Sequence, residues 1–380
     1  MMENSQPLSL SSLPDEILEN CLARISKWKY PLLSLVSKRF HSLLSSPQIF
    51  TTRSHVGTTE PCLYISVDSI DDDPSPKWYA LWMKPDDEIL TDKKIPSSLP
   101  HEYSLIPLHS SSPSLPVPHY STVAVGSDIF VIGGVTAPSS SVRILDCRSH
   151  TWRDAPSMTV ARQNAISVLL EEKIYVMGGW GTYHPGPGYW FEVFDVKTQT
   201  WSVLPSPLDD HEGFWGRIAV NAFQGKLYVE AYTEEYTYEP KGGTWEVLRE
   251  VSYRMEDKCV IENVMYGCTY LGDFMWFDYE GRVWRFIKGL TNLCKGWESC
   301  NRRRKVLRIV NYGGKLVVVF MQWSDEDNKN NKEVEIRCAK IALEKRFEGE
   351  IWGKTEWLNT LLRVPRWYNR CLSCVAVVSI

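Results

Sequence analysis

One spacing recurs four times in the chain and limits its fold more than any other feature: an acidic residue, five intervening residues, then tryptophan. It occurs at Asp146/Trp152 (DCRSHTW), Asp195/Trp201 (DVKTQTW), Glu239/Trp245 (EPKGGTW) and Asp278/Trp284 (DYEGRVW). Upstream of each lies a short apolar run with an aromatic residue in register: Phe130, Tyr175, Tyr228 and Tyr266. Val317 in GGKLVVVF takes that place in a fifth unit, whose Trp352 comes late, after the polar insertion SDEDNKNNKE. The units repeat every ~47 residues, the range of propeller blades. Two of them carry a glycine pair after the aromatic run, Gly133–Gly134 and Gly178–Gly179. Each unit reads as a small antiparallel sheet that cannot bury both faces alone, and stacking the sheets around an axis supplies the missing cover. On this reading the Trp fills space between neighbouring blades and the acidic residue sits in the turn before it. A β-sandwich gives no reason for one spacing to return four times.

The repeats account for only part of the 380 residues. Residues 11–50 have helical texture instead. Leu13, Ile17, Cys21 and Ile25 recur every four positions, with Leu18 and Leu22 beside them, and a second stretch from Pro31 carries Leu32, Leu35 and Val36, then Phe40, Leu43 and Leu44. Ser12 is placed to cap the first helix, Pro14 suits its first turn, and Asp15 and Glu16 complement the positive end of its dipole. Residues 52–61 read as a linker. From Cys62 onward short β-rich runs alternate with Gly- and Pro-containing turns, and the 16 Trp and 18 Tyr of the chain suit pleated, half-buried surfaces.

Before the first clear repeat stand three strand-like runs, CLYISV (62–67), KWYALWM (77–83) and YSLIPL (103–108), and after the last stands an unpaired one, RCLSCVAVVSI (370–380). Letting the C-terminal strand complete the first blade gives six blades and removes the open sheet edges. The clearest units are 120–156 and 162–205; those at 216–248, 258–290 and 306–357 are divergent.

These patterns resemble two known families. FVIGG…LDCRSHTW and YVMGG…VFDVKTQTW are similar to the kelch repeat: hydrophobic strand, Gly-Gly, an aromatic-Asp strand end and a spaced Trp. The resemblance implies a β-propeller over 62–380, closed by its own two ends. LPDEILENCLARI…YPLLSLVSKRFHSLLSSPQIF resembles an F-box over 10–51, a three-helix module that docks on a Skp-type adaptor and through it on a cullin ubiquitin ligase. Leu13, Pro14, Ile17, Leu35, Val36 and Phe40 then form much of the contact with the adaptor, some of them holding the helices together instead. An F-box followed by divergent kelch repeats is typical of a large plant family, which implies a plant source.

No chemistry is legible beside this. Asp71–Asp73, Asp86–Glu88 and Asp209–Glu212 have neither calcium-loop nor zinc spacing, and Cys371/Cys374 is a C-x-x-C without a second pair, read as two strand cysteines. There is no nucleophile elbow, phosphate loop or dinucleotide fingerprint. No cofactor or metal is therefore expected. A net charge of −4 offers no field for nucleic acid, no apolar run is long enough to span a membrane, and the N-terminus lacks the basic start and apolar core of a signal peptide. The expected location is the cytoplasm, the nucleus or both; Asn301–Lys305 reads as either a solvated basic turn or an import signal. His119, Asn164 and Arg217 each stand eleven residues before the aromatic strand position, where kelch propellers line the channel mouth, and are candidates for holding a target protein. The function these readings converge on is a non-catalytic receptor subunit of an SCF-type ubiquitin ligase. A non-degradative scaffold and a kelch-type metal enzyme are the alternatives.

Overall fold

A computed structural model describes residues 12–67, 76–84, 103–108, 117, 120–179, 190–206, 218–231, 235–248, 255–290, 293, 304–323, 333–346, 349–365 and 372–380. Its strands form six four-stranded antiparallel sheets. Blade 1 is Pro61–Val67, Lys77–Met83 and Tyr103–Pro107, completed by Leu372–Ser379. Blade 2 runs Thr122–Val125, Asp128–Ile132, Val142–Asp146, Thr151–Ala155; blade 3 runs Ile166–Leu170, Lys173–Met177, Phe191–Asp195, Thr200–Leu204. Blade 4 is Ala219–Phe223, Lys226–Glu230, Glu235–Glu239, Thr244–Leu248, and blade 5 is Met255–Ile261, Val264–Thr269, Phe274–Asp278, Val283–Phe286. Blade 6 is Arg304–Tyr312, Lys315–Trp323, Glu333–Lys345 and Ile351–Pro365. The first strand of each of blades 2 to 6 and the C-terminal strand pack side by side in a closed ring, so this is a six-bladed propeller with the last strand innermost in the first blade.

The recurrent spacing is the geometry of one hairpin. Each acidic residue ends the third strand and pairs across to the residue before the Trp: Asp146↔Thr151, Asp195↔Thr200, Glu239↔Thr244, Asp278↔Val283. The carboxylate then accepts from backbone N–H groups of the intervening loop, as Asp195 does from Lys197 and Thr198 at 2.9 and 3.0 Å, and Asp278 from Glu280 and Gly281 at 3.2 Å each. The last loop residue is left-handed in all four, His150, Gln199, Gly243 and Arg282. That conformation turns the chain so that Trp is always the second residue of the outer strand. Trp352 occupies the same second position in blade 6.

From there the indoles reach the neighbouring blade. Trp201 and Trp245 donate to the Pro156 and Pro205 carbonyls, which follow the outer strands of blades 2 and 3, at 2.8 and 2.9 Å. Trp152 packs edge-on against Trp78 of blade 1 with ring centroids 5.6 Å apart. The glycine pairs sit where backbone crowds backbone: a Cβ on Gly134 would lie 2.0 Å from the Ala137 oxygen, and one on Gly179 2.6 Å from the Ala165 backbone. The divergent blades 5 and 6 begin at Met255 and Arg304, slightly before the expected 258 and 306, and the outer strand of blade 6 extends to Pro365.

The helical module holds four short helices: α1 (Asp15–Ala23), α2 (Tyr30–Leu33), α3 (Lys38–Ser45) and α4 (Gln48–Val56), with a 3-10 turn at Lys27–Lys29. Leu18, Leu22, Ala23, Tyr30, Leu44 and Ile49 make its core. Three details differ from expectation, the first being four short helices where three were expected. Pro14, not Ser12, occupies the N-cap of α1. Residues 52–56, expected within a linker, are the end of α4, which Gly57 terminates in the left-handed conformation; burial of Ile49 and Arg53 holds this helix in place, although its pattern is not amphipathic.

Candidate docking surfaces

The side chains that build the module core leave others outside. Leu35 is 81% exposed, Val36 63%, Leu32 56% and Ile17 51%, and Pro14 is exposed beside them in sequence on the approach to α1. Apolar residues exposed at this density, on a module so short, form the kind of surface that protein partners cover. Ser37 caps α3 by accepting from the Phe40 N–H at 3.1 Å, fixing the turn that presents Leu35 and Val36. Arg39 staples α3 to the start of α1, donating to the Leu13 carbonyl at 2.5 Å and to Asp15 at 2.6 Å.

Of the six residues expected to meet the adaptor, Pro14, Ile17, Leu35 and Val36 are exposed, while Leu13 and Phe40 are half-buried and Phe40 packs on the module core. Leu32, outside that expected set, is exposed beside them. It stands three and four positions from Leu35 and Val36, a helical spacing.

The opposite side of the module is locked to the propeller. Arg53, 1% exposed, donates to the carbonyls of Ala23 (3.0 Å) and Ile25 (2.6 Å), to the Tyr30 hydroxyl (3.1 Å) and to the Thr58 carbonyl, and pairs with Glu60 at 3.3 Å. Glu60 also accepts from the Lys27 N–H at 3.0 Å, and its backbone exchanges two hydrogen bonds with Ile380 at the C-terminus. One arginine–glutamate pair thus joins α4, the 3-10 turn and the closing strand. Arg53→Met keeps the bulk but withdraws the guanidinium from four acceptors and a carboxylate, of which the Ala23 carbonyl keeps the Thr58 hydroxyl and Glu60 keeps the Lys27 N–H. The expected loss is about 3 kcal/mol, with faster amide exchange over residues 23–60 as the measurement.

Because the chain enters blade 1 at the start of its second strand, the module lies on the propeller face that carries the first-to-second and third-to-fourth strand turns. Phe50 packs into the core shared by blades 1 and 2, and Gly313, in the first such turn of blade 6, approaches Pro61. The other face carries the glycine pairs and the blade-to-blade crossings. Asn164 stands there, exposed and left-handed, its amide donating to the Val135 carbonyl at 3.2 Å. His119 and Arg217 lie outside the described residues. Among the described residues no three His, Cys, Asp or Glu side chains form a metal cluster.

The chain is thus a propeller with a helical module fixed to one face, the module's outer apolar residues bare. Sequence comparison agrees with both halves. The family described as F-box domain matches residues 10–52, and that described as FKB95, Kelch-repeats domain matches 78–362. An F-box/kelch-repeat protein of Arabidopsis thaliana is 51% identical, covering 98% of this chain and 94% of its own. A second from the same plant is 42% identical with the same coverage, and a third, named as a putative F-box/kelch-repeat protein, is 40% identical over 96% of this chain and 94% of its own. The chain belongs to the plant F-box/kelch-repeat family.

Proposed function

We propose that the protein is a substrate-recognition subunit of an SCF-type (Skp–cullin–F-box) ubiquitin ligase, working in the cytoplasm, the nucleus or both. The observation that carries this reading is the bare apolar set Ile17, Leu32, Leu35 and Val36 on a module whose other side is already committed to the propeller. The module docks these residues on a Skp-type adaptor. The propeller then holds a target protein on the face with the blade-to-blade crossings, turned away from the F-box. Its contribution is effective concentration and orientation, with no residue acting as acid, base or nucleophile.

The test is co-purification of the full chain with a Skp-type adaptor, wild type against Leu35→Asp/Val36→Asp. A stoichiometric complex is expected from the wild type, and its loss from the variant by a factor of at least ~100, since two charges would be buried unpaired at the contact. Both side chains are exposed in the free chain, so the variant should melt with the wild type. An intact chain that ignores the adaptor would overturn the reading.

A further inference from the structure

The inner ring of strands is not regular. Three consecutive members carry a one-residue bulge: the register slips between Met255 and Asp257 in blade 5, between Val306 and Arg308 in blade 6, and between Leu372 and Cys374 in the closing strand. The inner strands of blades 2, 3 and 4 pair without a shift. Each bulge falls in the first half of its strand, nearer the face with the blade-to-blade crossings. A bulge bends its strand and re-aims the side chain beside it. In blades 5 and 6 the residues that follow the bulge are Asp257 and Arg308, and they meet. Arg308 Nη1 donates to Asp257 Oδ1 in a long 3.4 Å bond, and Asp257 Oδ2 accepts from the Ile309 N–H at 2.7 Å.

Arg308 also lies over the ring of Tyr120, its guanidinium carbon 5.8 Å from the ring centre. Tyr120 leads into the inner strand of blade 2, and Leu372–Ser379 stands between that strand and Arg304–Tyr312. A side chain that meets blade 5 on one side and the entrance to blade 2 on the other lies within the ring, at its mouth on the crossing face. Arg53 and Arg162 spend their donors on several acceptors each. Arg308 is 26% exposed, and among the described residues its one hydrogen bond is the long one to Asp257. The edge left open is Nε with Nη2, the two parallel N–H groups that a carboxylate accepts side-on. Asp257 holds the opposite edge and Tyr120 the face, so the fork is set before a ligand arrives.

Resting on the reading of the propeller as target holder, we propose that Arg308 anchors an aspartate or glutamate side chain of the target protein. The carboxylate enters the mouth of the ring and accepts from Nε and Nη2. Asp257 is a positioning residue, aiming the guanidinium without touching the target. It also sets the charge that the site accepts. Arg308 and Asp257 together are neutral, so a carboxylate gains the fork against a single repulsion. A phosphoryl group, with nearly two charges, meets about twice that repulsion from Asp257. The site therefore selects a carboxylate over a phosphorylated side chain.

The test uses the full chain and no adaptor. A displayed library of random dodecapeptides is selected on the immobilised protein, and the selected peptides are synthesised and titrated by fluorescence anisotropy. They are expected to share one acidic position. Replacing that residue by Gln, or making Arg308→Gln in the protein, should weaken binding at least ~10-fold through loss of charge-assisted bonds. The two changes together should cost no more than one alone. Arg308→Lys keeps the charge without the fork and should restore binding only in part; it replaces Arg308→Gln if that variant does not fold. A phosphoserine at the acidic position should also weaken binding. The anchor is overturned, with the propeller still a peptide receptor, if the selected peptides share no acidic position, if wild type and Arg308→Gln bind them equally, or if the phosphoserine peptide binds more tightly. A library that yields no saturable binder overturns the anchor and the target-holding role together, while co-purification with the adaptor reads the F-box half separately.

Discussion

A chain ending at Arg370 should fail to hold its propeller, melting at least ~10 °C lower than the intact protein or being recovered only as aggregate. The missing strand supplies seven pairings to Pro61–Val67, from Pro61↔Ser379 to Val67↔Leu372. It also supplies Val378 and Ile380, each 2% exposed, to the core between blades 1 and 2. Losing burial of two large aliphatic side chains removes roughly 3–6 kcal/mol by itself, a large part of the total stability of about 5–15 kcal/mol usual for folded proteins. The consequence is wider than one strand. The C-terminal strand is a member of the inner ring, packed against the first strands of blades 6 and 2. Without it the ring opens and Pro61–Val67 becomes a bare apolar edge, the kind that pairs with other chains. Thermal melting and size-exclusion chromatography of the two chains read the outcome. Matching profiles would mean that the ring holds closed without the strand.

The second large effect is expected at Glu192. It and Arg162 are both fully buried, with Nε to Oε1 at 2.8 Å. Arg162 also donates to the Gly178 and Trp190 carbonyls at 2.7 and 3.2 Å, while the other Glu192 oxygen accepts from the Thr159 N–H and hydroxyl at 3.0 and 2.6 Å. Arg162 lies on the crossing between blades 2 and 3, and its backbone carbonyl accepts from Gly134 and Ser139 of blade 2. The pair is a rivet between two blades. Glu192→Ala leaves a guanidinium in the interior without its counter-charge, at a cost of about 3–5 kcal/mol. Arg162→Met/Glu192→Leu removes both charges and should cost clearly less than the single change, because no ion is then stranded. Denaturant melts of the single and double variants decide this; a double variant as unstable as the sum of its singles would show that the two side chains act separately.

The pieces legible in the sequence are those whose cause is local. Asp195 and Trp201 report one hairpin: a strand end, a loop capped by its own carboxylate, a left-handed residue and a strand start, all within seven positions. Gly134 and Gly179 mark places where any side chain would strike backbone. The C-terminal run could be matched to blade 1 by counting, since one sheet lacked a strand and one strand lacked a sheet. The helical docking module was legible through its apolar pattern and its likeness to the F-box, although the spacing alone did not separate Phe40, which packs inward, from Leu35, which faces out.

Other features could not be read along the chain because their partners are remote. Arg53 sits in TTRSHV as an ordinary surface charge on a weakly patterned helix, and only the fold shows it buried against Ala23, Tyr30 and Glu60. Lys27 reads as one of several basic residues near a turn, yet the tertiary structure buries it beside Trp82, 55 positions away. Arg162 and Glu192 carry no sequence signal of mutual pairing.

The sequence by itself determined the repeating unit, the number of blades and the presence of a separate docking module, because hairpin geometry, strand alternation and helical periodicity act over a few neighbouring residues. Only the tertiary structure decided which face of the ring carries the F-box, how the joint is locked and that Lys27 is buried over Phe50 and Trp82. Those outcomes depend on residues as far apart as Tyr312 and Pro61, whose hydroxyl and carbonyl meet at 2.9 Å across the closure. Their burial is created by closing the ring, and no local pattern can encode a contact that exists only once the whole circle is complete.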